Sequence, residues 1–161
     1  MSLVVSDPLS LHYLVFCRVV DVLPKLFEDV VVPTAVSQEL AQSGSPPMVR
    51  HWMENPPPWF SVQQAKHPDS TLGLDKGDVE AICLAREMKA AALLADDHAV
   101  RTVAARCGLT VVGTLGILEL AAFNSFIDFP KVISTLRQTH ARFDPALIQL
   151  LSERVASNGK K

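Results

Sequence analysis

Asp7 directly follows the apolar run Leu3-Val4-Val5-Ser6, and Asp96-Asp97 directly follow Ala92-Leu93-Leu94-Ala95. Asp78 comes just after Leu74-Asp75-Lys76-Gly77, and Glu39 lies a short way beyond Val30-Val31-Val32. If the apolar runs are strands of an open parallel sheet, the loops leaving their carboxyl ends share one crevice, and acids far apart in sequence converge there. Carboxylates gathered in this way repel one another unless a cation joins them. Hard oxygen donors with few imidazoles or thiolates suit Mg²⁺ or Mn²⁺ better than zinc. The chemistry implied is phosphodiester hydrolysis, in which a bound ion makes its water more acidic and a second, about 3.5 to 4 Å away, stabilises the leaving oxygen.

Taken singly, most of these acids have a structural alternative. Asp97 is placed to cap the helix through Val100, Asp78 complements the positive end of its helix, and Glu39 suits an exposed helix face. Asp7 has no such account, because no turn or charge partner is evident beside its hydrophobic strand. The order of strand-end acid, helix acid, helix-start acid and strand-end acid carries the joint reading.

The elements that must position these residues are short and regular. Strands are expected at Leu3-Val4-Val5-Ser6, Val30-Val31-Val32, Ala92-Leu93-Leu94-Ala95 and Leu109-Thr110-Val111-Val112, each apolar enough to be buried on both faces, with Phe60-Ser61-Val62 as an edge strand. Helices between them require crossovers and hence a parallel sheet covered on both sides. Thr34, Asp75 and Thr114 are expected helix N-caps, and Gly108 is an expected left-handed C-cap. A helix over residues 11–27, broken near Pro24, and closing helices over residues 130–140 and 145–156 complete the pattern. Residues 43–71, with Pro46-Pro47 and Pro56-Pro57-Pro58, read as a long surface connection pinned by Trp52 and Trp59; a substrate arm or dimer contact is the alternative.

Composition narrows the functional classes. A chain of 161 residues with 48% hydrophobic and 20% charged residues suits one globular domain, expected over residues 1–156 with a disordered tail over 157–161. The formal charge of −2 excludes a strongly basic nucleic-acid binder, so any contact with a phosphate backbone must be local, with Lys66, Lys76, Arg86, Lys89, Arg101 and Arg106 as candidates. Cys17, Cys83 and Cys107 read as buried thiols in a reducing cytoplasm, and no run is long and apolar enough to span a membrane. The five histidines, among them His12, His51, His67, His98 and His140, form no HExxH pair and read mostly as surface residues. No phosphate-binding Gly-rich loop, dinucleotide fingerprint or serine elbow is present.

Five ordered blocks carry a resemblance: Val4-Val5-Ser6-Asp7; Val31-Val32-Pro33-Thr34-Ala35-Val36 with Gln38-Glu39-Leu40; Leu74-Asp75-Lys76-Gly77-Asp78 through Ile82; Leu93-Leu94-Ala95-Asp96-Asp97 through Arg101; and Val111-Val112-Gly113-Thr114-Leu115-Gly116. Together they resemble a PIN-like family related to VapC toxins. The resemblance implies a three-layer α/β/α fold with a central parallel sheet of about four or five strands. It implies a Mg²⁺ or Mn²⁺ site, cleavage of single-stranded RNA, and restraint by a small antitoxin protein; a homodimer is a separate expectation. The family's acidic positions fall on Asp7, Glu39, Asp78 and one of Asp96 and Asp97, with Asp97 slightly favoured as the ligand. Arg101 and Thr114 are candidates for contact with the scissile phosphate, although Thr114 suits an N-cap better.

One block departs from the family. Its first acid is usually followed by Thr-Ser-Pro-Leu, whereas this chain has Pro8-Leu9-Ser10-Leu11, so the hydroxyl and the backbone donor next to Asp7 are expected to be missing. That departure supports a rival reading as a PIN-shaped nucleic-acid- or protein-binding module with weak or lost catalysis. A metal phosphatase using the same acids is a third.

Overall fold

The structure is a computed structural model that describes residues 2–139 and 143–159. Five parallel strands form one sheet in the order β3-β2-β1-β4-β5: β1 (Leu3–Ser6), β2 (Asp29–Pro33), β3 (Phe60–Gln63), β4 (Ala92–Leu94) and β5 (Val111–Val112). The chain lays down β1, β2 and β3 outward in one direction, then returns to place β4 on the other side of β1. The order therefore reverses between β1 and β4, where Val4, Val5 and Ser6 pair with Ala92, Leu93 and Leu94. In open α/β sheets the crevice beyond the carboxyl ends of such a pair is where ligands bind.

Alternation along the strands divides the core into two. Val4, Val30, Val32, Ala92 and Leu94 point into a larger cluster with α1 (Pro8–Phe16), α2 (Leu23–Leu26), α3 (Thr34–Leu40), α4 (Pro47–Glu54), α7 (Thr114–Phe123), α8 (Phe129–Leu136) and α9 (Pro145–Gly159). Val5, Val31, Leu93 and Ala95 point the other way, against α5 (Lys76–Glu87) and α6 (His98–Arg106). The result is the expected three-layer α/β/α arrangement, because strands buried on both faces need helices on both sides. Among the described residues, no helix is long and apolar enough to cross a membrane.

Several local expectations are corrected. The stretch over residues 11–27 is not one helix broken at Pro24. α1 already starts at Pro8, the chain turns at Arg18 with φ of 60°, and Pro24 lies in the first turn of α2, where its fixed φ and missing N–H cost nothing. α4, inside the expected surface connection, begins at Pro47 for the same reason. Trp52, Trp59 and Phe60 pack ring against ring, with centroids 4.9 to 6.4 Å apart, and both tryptophans pack on the larger core.

Thr34 and Thr114 are the first residues of α3 and α7, not their N-caps, which are Pro33 and Gly113. Asp75 does occupy the N-cap position of α5, but its side chain makes no capping bond. Gly108 takes the left-handed conformation expected of it, with φ of 81°. Cys17 and Cys83 are buried, but Cys107 is half-buried. α8 ends at Leu136, His140 lies outside the described residues, and α9 runs past Ala156 to include residues 157–159 of the expected tail.

Candidate active site

Asp7 lies just past β1 as the N-cap of α1, only 1% exposed, with Oδ1 accepting a 2.9 Å bond from the Ser10 backbone N–H. Its own N–H donates to the Leu94 carbonyl at the end of β4, which ties the two strand ends together. Asp96 comes off β4 on the far side of that junction. Its Oδ2 accepts from the Ser10 hydroxyl at 2.9 Å and from the Thr114 hydroxyl at 2.5 Å, and its Oδ1 accepts from the Thr114 N–H at 2.8 Å. Asp96 thus satisfies the first turn of α7 from outside the helix, which explains why Thr114 follows the cap position. The Thr114 hydroxyl is 1% exposed and committed to Asp96, so its geometry holds an acid in place.

Ser10 overturns the expectation that the block after Asp7 lacks a hydroxyl and a backbone donor. Pro8 occupies the first turn of α1, where a missing N–H is harmless, and Ser10 is the residue whose N–H an N-cap side chain reaches. One residue supplies both functions, its N–H to Asp7 and its hydroxyl to Asp96.

Gly113 closes this half of the site. A Cβ there would lie 2.7 Å from Arg101 Nη1 and 3.0 Å from Asp96 Oδ1, so the absence of a side chain lets the guanidinium and the carboxylate approach the same backbone. Arg101 is exposed on α6, one turn beyond Asp97.

The other acids come from α3, α5 and α6. Glu39 projects across to α5, where its Oε2 would lie 2.9 Å from a Cβ on Gly77. Asp78 follows in the first turn of α5. Asp97 is the N-cap of α6, its Oδ2 accepting from the Val100 N–H at 3.2 Å, as its structural alternative anticipated.

The charges of these groups act on one another. Burial pushes Asp7 up to about 7, with further upward pushes from Asp96 and Asp78 and a downward pull from the Ser10 N–H. Burial, then Asp75, Glu39 and Asp97, raise Asp78 to about 6. Glu39 is raised by burial and by Asp75. The expected acids Asp7, Glu39, Asp78, Asp96 and Asp97 are therefore linked by their charges, directly or through a shared neighbour.

Three further members escaped sequence reasoning. Asp75, read as a cap, acts on both Asp78 and Glu39. Ser10 bridges Asp7 and Asp96. Tyr13 is buried on α1, its phenol pushed up by burial and by the charges of Asp96 and Asp7. A signal for Ser10 and Tyr13 existed: they lie three and six residues beyond Asp7, inside the helix it opens.

The donor set fits a divalent cation by its chemistry. It is all carboxylate and hydroxyl, and acids whose proton affinities are raised by burial and mutual repulsion are relieved by a cation. Among the described residues no three His, Cys, Asp or Glu side chains are gathered into a ready-made ion site. Ser10 ties Asp7 and Asp96 together, Asp78 acts on Asp7, and Glu39 and Asp97 act on Asp78.

No curated protein matches this chain. Among solved structures, a PilT N-terminus domain protein, SSO1118, from the hyperthermophilic archaeon Sulfolobus solfataricus P2 is similar at 16% identity with a TM-score of 0.49, over 88% of this chain and 99% of that one. The family model described as "DUF3368: PIN domain" matches residues 3–157, a span that contains all the strands and every acid of the crevice. An acid at the end of β1, another at the end of β4 and a nuclease-like fold around them are therefore features of a family member: the chain belongs to the DUF3368 family of PIN domains.

Proposed function

We propose that the protein is a Mg²⁺- or Mn²⁺-dependent nuclease that hydrolyses single-stranded RNA. The observation that carries this reading is the pairing of Asp7 and Asp96 across the β1–β4 junction, with Ser10 bonded to both. Asp7 and Asp96 would hold the metal, with Asp78, Glu39 and Asp97 completing the acidic surroundings. When bound, the ion neutralises charge on the phosphodiester and supplies a more acidic water. The chain's own residues do the rest. Ser10 and Thr114 fix the Asp96 carboxylate, since outer partners orient the groups that bind a metal. Arg101 stands beside Asp96 to meet a phosphate oxygen. Burial and the neighbouring acids favour the protonated form of Asp7 when no cation is present, so binding of an ion there would release that proton.

The decisive experiment is incubation with single-stranded RNA and Mn²⁺, with and without chelator, beside Asp7→Asn and Asp96→Asn. Metal-dependent cleavage lost in both variants is expected. Cleavage that survives chelator, or is equal in the variants, would overturn the mechanism. The second reading is a PIN-shaped binding module; RNA retention without cleavage at any metal concentration would establish it.

A role as a VapC-like toxin in a reducing cytoplasm belongs to the same proposal, with the unpaired Cys17, Cys83 and Cys107 in keeping with that compartment. So do a small antitoxin and a homodimer. Exposed Leu120, Leu147 and Leu150 on α7 and α9 supply apolar surface for association. Light scattering that gives a monomer, and purification that brings no small protein, would remove both partners.

A further inference from the structure

Beside the acids, α1 presents Leu9, His12, Tyr13 and Phe16 to a cleft of about 470 Å³, closed by Pro46 from the loop before α4 and by Gln138 and Thr139 after α8. The spacing of nine, twelve, thirteen and sixteen places the four α1 residues on one helical stripe. The cleft lies along the helix that Asp7 caps, and Tyr13 in its lining feels the charges of Asp96 and Asp7. Its size falls in the range of about 300 to 1,000 Å³ typical of small-ligand sites. Among the described residues that line it there is no Lys, Arg, Asp or Glu. His12 is half-buried, and that burial lowers its proton affinity and so favours the neutral ring. Three rings with the exposed Gln138 carboxamide on the rim offer stacking surfaces and a paired donor and acceptor, the chemistry that recognises a flat heterocycle.

We infer that this cleft is a nucleobase subsite: it receives one unstacked base of a single-stranded RNA whose backbone runs past Asp7 and Asp96, against the rings of His12, Tyr13 and Phe16. The inference rests on the proposed nuclease reading for the identity of the strand, but its test reads binding and not cleavage. A short oligouridylate carrying a single 2-aminopurine, moved one position at a time, is titrated with the full chain in chelator while fluorescence is followed. One position is expected to be strongly quenched by stacking. Replacing that base by an abasic unit should weaken binding to the wild-type chain by roughly five- to a hundredfold. The same replacement should cost His12→Ala and Phe16→Ala little, because they have already lost the stacking surface. The abasic RNA leaves the protein unaltered, so the wild-type arm decides the matter even where a variant folds poorly. Absence of quenching at every position, or an equal abasic penalty in wild type and folded variants, would overturn the subsite and turn attention to a peptide as its occupant. Quenching and coupling without any RNA cleavage would retire the nuclease reading and leave the subsite; cleavage without coupling would do the reverse.

Discussion

Asp7 and Asp96 are held by hydrogen bonds from Ser10 and Thr114, whereas among the described residues no hydrogen bond reaches the carboxylates of Glu39 or Asp78. The first pair grows from strand ends, and its partners are the opening turns of α1 and α7. The second is brought up by α3 and α5, and its members are held near one another against their own repulsion. The difference separates two tasks. Strand ends bonded into helix starts hold a geometry without a ligand, while acids on helices can adjust to a cation and its substrate.

Substitutions should break this contrast in a graded way. Asp7→Asn and Asp96→Asn should each reduce metal-dependent cleavage by about a thousandfold or more, since several kcal/mol of transition-state stabilisation are lost. Single-turnover rates against RNA check this, and retention of a tenth of the activity would refute it. Next in size, Ser10→Ala and Thr114→Val remove one donor each from Asp96 and should weaken Mn²⁺ binding by about 10- to 100-fold. Calorimetric titration reads that loss, which a purely structural role for these hydroxyls would not produce.

A stability comparison follows. Asp96→Ala leaves the Ser10 and Thr114 donors without their acceptor and should cost on the order of 1 to 3 kcal/mol without metal. Glu39→Gln and Asp78→Asn should leave metal-free stability within about 0.5 kcal/mol or raise it slightly, because no bond is lost and a repulsion is relieved. Urea denaturation in chelator compares the four proteins; equal losses would erase the distinction between the two halves.

The pH dependence sharpens the same point with a smaller effect. Unfolded Asp7 releases its proton near 3.8, but folded Asp7 keeps it up to about 7. Between those values the native state binds more protons, so this group makes metal-free stability fall as pH rises from about 4 to about 7. Asp78 adds to the fall up to about 6. The melting temperature of Asp7→Asn in chelator should therefore decline less over that range than that of the wild type, and stabilisation by Mn²⁺ should grow with pH. Parallel melting curves for the two proteins would contradict it. Smallest of all, Gly113→Ala should cost about 1 kcal/mol or less, since Arg101 can swing aside but Asp96, fixed by three bonds, cannot.

The layers of the fold were legible because Val4, Val5, Val30, Val31, Leu93 and Leu94 are apolar without alternation, which only a sheet covered on both faces explains. The strand-end acids were legible for the same reason, being the first charges after each run. α4 was not, because Pro46-Pro47 and the proline triplet resemble a loop although Pro47 opens a helix. The different surroundings of Asp96 and Asp97 were equally hidden. In an extended segment adjacent side chains point opposite ways, and only Ser10 in α1 and Thr114 at the start of α7 show that Asp96 turns toward Asp7 while Asp97 caps α6. Ser10 was overlooked because a motif read along the chain compares neighbours, and the helix brings the third residue back to the first.

The chain has one tyrosine, and it both lines the cleft beside α1 and feels the charges of the two bonded acids. Fluorotyrosine incorporation would therefore give a single ¹⁹F resonance at the heart of the molecule, free of overlap and needing no engineered label. Its chemical shift would respond to an arriving ion through the field and to an arriving ring through its magnetic anisotropy, so two occupancies could be followed separately in one spectrum.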